Sequence, residues 1–516
     1  MSLLYKLTVC FTLLSLITKG QHQSGIQYSN YSDVVTNASN PASLASSKIS
    51  IGINIFNAEA TIFNNYTKWS APFSFISLFT GLVPSKYRNF GGLVIWQNGY
   101  ATTNDSKDII NGNASVRLLG PAVYFKIKRV NLGVQAGVNI VGFGSFTNTS
   151  EEIGRHIVQI RPVGLYGTPV TNNQAKVNIG FYKEFYLSFG KRIVNQRFQR
   201  LNIGITAKYL TSNNYLAIDA TSLDYTVSPS VSNPPKSKTD FQRTEGTFYF
   251  AEGNTGILAT SILNELTSIN NLGTGFGGSI GFTYEYRPEQ LRHSKKVNGE
   301  WIEKEEETGY KYRVGVSVED IGYLNYNGAK VADIKSNTQV TFDNDEFREN
   351  SRPSLLINLI ENKYGTNPAD YTTSFSYLTP ARIHGFVDYK FKEGKYVTAF
   401  VNQSVLSNDR IAPFGQSTFG IVPRFETKNT MLSAPFVVTN NFQHVTLGLT
   451  ARYRSFYLGT NHLLGFFNFS QTKGVSIYGG LFLSFYTRQK KMDNNCYYPG
   501  DKRTKKKLLL FKKRKL

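Results

Sequence analysis

The stretch Asn131-Leu132-Gly133-Val134-Gln135-Ala136-Gly137-Val138-Asn139-Ile140 changes character at every step. Extended backbone sends successive side chains to opposite faces, so Leu132, Val134, Ala136, Val138 and Ile140 share one face. Asn131, Gly133, Gln135, Gly137 and Asn139 share the other. Residues 201–209 repeat the design, with Leu201, Ile203, Ile205, Ala207 and Tyr209 against Asn202, Gly204, Thr206 and Lys208. Residues 444–454 do so again, with Val445, Leu447, Leu449, Ala451 and Tyr453 against His444, Thr446, Gly448, Thr450, Arg452 and Arg454. A tilted strand crosses a bilayer in about 9–11 residues, whereas strands of soluble sheets average about 5–6. The lengths fit a membrane strand whose apolar face meets lipid and whose polar face lines a lumen. Tyr209 and Tyr453 end their strands where an aromatic girdle belongs. An open edge in lipid would leave unpaired N–H and C=O groups, so the sheet has to close.

Composition agrees. The 516 residues include 31 Tyr, 37 Phe and 44 Gly but 3 Trp, and 18% are charged. Such numbers are what alternating strands give on average. Apart from a short apolar run near the start, no stretch approaches the ~18 apolar residues of a transmembrane helix. Residues 1–20 read as a secretory signal. Lys6 precedes an apolar run over 7–17, and Thr18-Lys19-Gly20 supplies small residues at −3 and −1. The run is too short for an anchor, and Cys10 lies inside it rather than at a lipidation site. Beyond it the one remaining cysteine is Cys496, so no intramolecular disulfide or multi-cysteine metal site is expected. The net charge of +22 is uneven: residues 488–516 hold twelve Lys/Arg and two Asp. The barrel region is therefore mildly basic. An exported chain of this pattern points to outer-membrane lipid as its surroundings and not to nucleic acid.

Further strand candidates cover residues 49–61, 91–101, 115–127, 178–193, 216–227, 246–252, 278–287 and 310–321. Others cover 381–391, 395–405, 418–426, 436–439, 455–463 and 475–486. Barrels of one chain favour even counts, and we expect an all-β transmembrane antiparallel barrel of about 14 strands. Apolar residues at helical spacing predict short helical inserts over 256–272 and 353–363, while 228–244 and 289–308 read as loops. The expected organisation is a signal (1–20), an N-terminal lead-in or hatch (21–48), the barrel (49–487) and a basic periplasmic tail (488–516).

Ordered landmarks run through the chain: Asn40-Pro41-Ala42-Ser43-Leu44, Arg117-Leu118-Leu119-Gly120-Pro121-Ala122 and Glu184-Phe185-Tyr186-Leu187-Ser188-Phe189 come first. Gly275-Phe276-Gly277, Glu319-Asp320-Ile321-Gly322, Pro423-Arg424-Phe425-Glu426 and Ala434-Pro435 follow. The series resembles a Bacteroidota-type outer-membrane family known as domain of unknown function 5723, and is distantly similar to the long-chain fatty-acid transporter barrels. The resemblance implies a barrel in the outer membrane of a Gram-negative bacterium and brings no characterised substrate. In the transporter class a motif like Asn40-Pro41-Ala42 lies in an N-terminal hatch that plugs the lumen. A plain periplasmic lead-in is the competing reading here.

Candidate lumen-facing residues are Gln135, Asn139, Lys208, His444 and Arg452. Six histidines lie far apart without metal-ligand spacing, and no nucleophile motif supports a catalytic site around His384 or His444. Asp343-Asn344-Asp345-Glu346 lacks the glycine and spacing of a calcium loop, so neither an enzyme, a cofactor nor a metal is expected. Lys505, Lys506, Lys507, Lys512, Lys513, Arg514 and Lys515 bracket four apolar residues. They suit a membrane surface or an envelope partner, or an unstructured solvated tail. Two functions stay open: a passive channel or transporter of small or hydrophobic solutes, and a structural or docking barrel for a secretion, adhesion or envelope complex.

Overall fold

The structure, a computed structural model, describes residues 23–486 except 37–38, 75–76, 78–81, 90–91, 93, 96, 104–108, 159–165, 197, 230–236, 253–271, 289–293, 298–299, 304–308, 344–352, 368–370, 406–410, 412–416, 440–443 and 467–472. The signal, most of the 256–272 insert, Asn344 to Glu346 and the tail with Lys505–Lys507 and Lys512–Lys515 lie outside the described residues.

One antiparallel sheet dominates. Its strands are β1 (Ile51–Asn64), β2 (Ile109–Ile127), β3 (Leu132–Ser150), β4 (Pro169–Asn195), β5 (Gln199–Ser212), β6 (Asn214–Pro229), β7 (Ser237–Glu252), β8 (Gly273–Tyr286), β9 (Tyr312–Ser336) and β10 (Val340–Asp343). They continue as β11 (Thr372–Leu378), β12 (Arg382–Lys392), β13 (Lys395–Ser404), β14 (Thr418–Glu426), β15 (Thr430–Ser433), β16 (Phe436–Thr439), β17 (His444–Leu447), β18 (Leu449–Tyr453), β19 (Phe456–Thr460) and β20 (Gly474–Phe485). Several consecutive strands are one stave with a break. β6 continues β5 along β4, and β7 and β8 share the next stave, as do β9 with β10, β11 with β12, β15 with β16 and β17 with β18. The result is a ring of 14 staves. It closes where β1 pairs β20 from Ile51↔Phe485 to Phe63↔Gly474.

The alternation assigns the faces as expected on β5. Ile205 and Tyr209 are exposed outward, while Asn202, Gly204, Thr206 and Lys208 are buried. On β3, Ala136 is exposed outward and Gln135 and Asn139 are buried, although Val134 and Ile140 are covered too. On β17 and β18, Val445, Leu449 and Tyr453 are exposed and Arg452 is buried. The outer apolar belt on β9 runs from Tyr312 to Tyr323, about the length a tilted strand needs.

Two of the expected strands are upward continuations instead of separate staves: 216–227 belongs to β6 and 246–252 to β7. A third, 91–101, is not a stave. Its described residues hold an isolated bridge, Arg88↔Val94, and a 3-10 turn at Asn98–Tyr100. Gly92 has φ +75°, a left-handed conformation suited to a turn. The expected helix at 353–363 is present as Pro353–Tyr364. Proline suits a first helical position, and Ile360 packs with Phe248, Phe250, Ala332 and Ile334. Beyond the belt, β4 (27 residues), β6, β7 and β10 rise as a wall lined by this helix.

A bulge in β9 shapes the interior. Asp320 has φ +58°, and the pairing with β8 slips between Gly278 and Ile280. One extra residue reverses the phase of a strand. Glu319 and Asp320, adjacent in sequence, are therefore both buried inside, while Val316 before and Ile321 after are both exposed outside.

Candidate functional site

The described residues of 23–50 run inside the ring and touch most of its staves. Their seat is written in register. Gly133 pairs Gly190, Gly190 pairs Gly204, and Gly204 pairs Gly281, a row across four adjacent staves. A Cβ on Gly133 would lie 2.5 Å from Leu44 O, on Gly190 2.6 Å from Pro41 O, on Gly204 2.2 Å from Pro41 C, and on Gly281 2.2 Å from Asn40 Oδ1. Only hydrogen fits at these positions, so the row is a shelf for the Asn40-Pro41-Ala42 turn. Asn40 Oδ1 accepts from Ala42 N–H (3.0 Å), and its Nδ2 donates to Phe282 O (3.2 Å) and Val316 O (3.3 Å). A single helical turn, α1 (Ser43–Ser46), follows. Carbonyls at such an end need outside donors. Tyr124 Oη supplies one to Leu44 O (2.9 Å), Arg192 to Ala45 O (3.3 Å) and Lys126 to Ser47 O (2.6 Å).

Toward the turn end of the barrel, where short connections join β2 to β3, β4 to β5, β12 to β13, β14 to β15 and β18 to β19, a second anchor holds the segment. Glu426 accepts from Ser29 Oγ, from Asn30 N–H (3.0 Å) and from Asn30 Nδ2 (3.2 Å), and pairs with Arg424 (3.1 Å). Asp388 pairs with Arg424 (3.0 Å) and Arg313 (3.4 Å) and accepts from Tyr310 Oη (2.6 Å), which also lies 2.9 Å from Asn30 Oδ1. Buried charges persist only when paired and hydrogen-bonded, and this set meets both demands. Tyr28 stacks on His384 (5.9 Å, 16°) and packs on Phe386 and Phe400. Its hydroxyl has no hydrogen-bond partner among the described residues. Burial, reinforced by Glu319 and Asp388, raises its pKa well above the phenol value.

Above the shelf lies a belt of charge. Lys208 Nζ meets Glu184 (3.0 Å) and Asp320, Arg382 bridges Glu319 (2.9 Å) and Asp320 (2.5 Å), and Asn139 Nδ2 donates to Glu184 (3.1 Å). Arg117 approaches Glu184 at 3.7 Å. Beside it a cavity of ≈ 20 Å³ is lined by Gln23, Gln27, Val35, Ser39, Glu59, Arg117 and Leu119. Both amide atoms of Gln27 lack partners among the described residues, and the space suits about one water.

Farther from the turns the lumen becomes aromatic. Phe143, Tyr182, Leu210, Tyr215, Leu324, Tyr326 and Tyr377 form one buried cluster, with Phe375 and Ile411 against it. Tyr215 stacks on Tyr377 (4.9 Å, 23°) and Tyr326 on Phe375 (4.9 Å, 15°). Tyr326 Oη donates to Ser212 Oγ (2.7 Å), and Tyr215 Oη to Ile411 O.

Of the residues singled out from sequence, Asn139 and Lys208 converge on Glu184. Gln135 Nε2 donates to Tyr186 Oη (3.0 Å). Arg452 lies apart at the turn end, where its guanidinium donates to Thr427 O (2.9 Å) and Lys428 O (3.1 Å). His444 lies on β17 and its side chain is not among those described. Register sets Ser317, His384 and Asn402 side by side. Ser317 Oγ is hydrogen-bonded to Ser39 O (2.8 Å) and Glu319 (3.0 Å), and His384 Nδ1 meets Asn402 Oδ1. The shelf and the carboxylates Glu184, Asp320, Asp388 and Glu426 were not singled out. Glu184 and Glu426 stand at inward positions of alternating strands, and that signal was readable.

Solved structures to which the chain is similar include the Ralstonia pickettii toluene transporter TbuX, at 10% identity over 87% of this chain and 92% of that one, TM-score 0.37. The Pseudomonas putida toluene transporter TodX gives 8% identity, 91% and 95% coverage and TM-score 0.34. A Pseudomonas aeruginosa FadL homologue gives 8% identity, 90% and 96% coverage and TM-score 0.21. No curated protein matches. The pattern of a family of unknown function, DUF5723, matches residues 41–461, and the chain belongs to that family.

Proposed function

We propose that this protein is an outer-membrane transporter of small hydrophobic solutes, with residues 23–50 as a hatch. The aromatic cluster of Phe143, Tyr215, Tyr326, Tyr377 and Phe375 carries the reading. A water-filled pore lines its lumen with polar groups, whereas this layer is a closed stack of rings with hydroxyls at their rims, apolar material that a hydrophobic guest enters by parting the rings. The hatch and charge belt lie between that layer and the turn end, so passage requires the hatch to move. The test is uptake of a labelled aromatic hydrocarbon by a Gram-negative host expressing the full chain. Uptake above the empty-vector level, reduced by Tyr215→Ala, with no gain for a labelled disaccharide, supports the proposal. Hydrocarbon uptake equal to empty vector refutes it.

A docking barrel is the second reading. It is favoured by the wall of β4, β6, β7, β10 and the far end of β9, which rises past the apolar belt and presents polar residues such as Thr221, Asp333 and Lys335 outward. Affinity capture with and without residues 488–516 tests it, and a partner set identical to that of empty membranes counts against it.

A further inference from the structure

Exposed cations stand on successive turns around the turn end of the barrel. Arg129 lies between β2 and β3, Lys191 at the foot of β4, Lys392 and Lys395 at the β12–β13 turn, and Arg454 between β18 and β19. Lys311 and Lys428 are half-buried, with Nζ 4.7 Å from the Tyr389 ring and 4.6 Å from the Tyr486 ring. The Arg454 guanidinium lies 5.4 Å from the Tyr453 ring. Exposed Phe391, Phe425, Tyr453 and Phe485 supply the apolar rim beside them. Among the described side chains here, the exposed carboxylate is Glu393, and it is paired with Lys390 (2.5 Å). Acids and bases mix at the opposite end, where Glu152, Asp333 and Lys335 are all exposed.

Cationic side chains that lay their stems on aromatic rings at a membrane interface hold the charge at headgroup depth. The cations point away from the lumen and encircle the barrel. That arrangement fits partners already distributed around it, not one compact soluble ligand. We propose that this collar binds the headgroups of anionic phospholipids in the leaflet at the turn end. Each basic residue near an anionic surface favours association by about fivefold, and the collar divides this effect among many exchanging lipids.

The test uses the full chain in phosphatidylcholine vesicles carrying traces of spin-labelled phosphatidylglycerol or spin-labelled phosphatidylcholine. The readout is the motionally restricted fraction of each lipid. At low salt, phosphatidylglycerol is restricted about threefold more strongly than phosphatidylcholine. The preference falls to near unity in Arg129→Gln/Lys191→Gln/Lys392→Gln/Lys395→Gln/Arg454→Gln, which retains the basic tail. It also falls in the unchanged protein at about 1 M salt, where the screening length is about 3 Å. If the variant does not insert, the salt series decides. Equal restriction of the two lipids at low salt overturns the proposal, as does a preference that survives in the folded variant or at high salt.

Discussion

Adding a single methyl at Gly204 should unseat the N-terminal segment that we propose as a hatch. A Cβ there would lie 2.2 Å from Pro41 C, 2.3 Å from Ala42 N and 2.4 Å from Pro41 O, against ordinary contact at 3.4–4 Å. The wall cannot yield, because Gly204 is paired to Gly190 on one side and Gly281 on the other. The hatch must therefore retreat by more than 1 Å, which also strips the two bonds from Asn40 Nδ2 to Phe282 O and Val316 O. Overpacking costs about 1–3 kcal/mol and each lost bond about 1 kcal/mol. A loss of roughly 3 kcal/mol raises the unseated population about a hundredfold. The assay is maleimide labelling of Ala45→Cys, a fully buried position, with Cys496 replaced by serine. Gly204→Ala should accelerate labelling by roughly that factor. Gly144→Ala, whose Cβ meets nothing closer than Ile179 at 3.9 Å, should leave it unchanged. If Gly204→Ala migrates as a folded barrel and labels no faster than its parent, the shelf argument is wrong.

Lys208→Met leaves Glu184 and Asp320 without their shared cation. Breaking a buried pair costs about 3–5 kcal/mol, so the urea midpoint of the reconstituted barrel should fall, and an unchanged midpoint contradicts the charge belt. Tyr28→Phe removes a hydroxyl that has no hydrogen-bond partner among the described residues, so labelling of Ser32→Cys at neutral pH should stay within about twofold of the parent. Because burial raises the Tyr28 pKa, its contribution to seating is complete below the ordinary phenol value, about 10, and is lost as pH rises past it. Alkaline loosening, read with a thiol reagent normalised to an exposed site, should be weaker in Tyr28→Phe. Equal pH profiles would contradict that assignment.

Period-two patterning was enough to place Lys208, Asn139 and Gln135 inside, because β3 and β5 keep a strict phase through those residues. It fails at Asp320, where a bulge turns two neighbouring acids to the same side. Nothing in a single sequence marks that insertion. Residues 216–227 look like a separate strand because Asn213 and Asn214 resemble a turn, yet the chain passes straight from β5 into β6. The Asn40-Pro41-Ala42 turn was legible as a local motif, but its seat was not. Gly133, Gly190, Gly204 and Gly281 are ordinary glycines until pairing aligns them, and register across four staves is a property of the closed sheet.

Single-channel recording of the full chain in planar bilayers tests the plugged barrel most directly. With the described residues of 23–50, the charge belt and the aromatic cluster all lying across the lumen, inserted protein should give no steady ionic current. A persistent ohmic conductance from correctly folded full-length protein would contradict it.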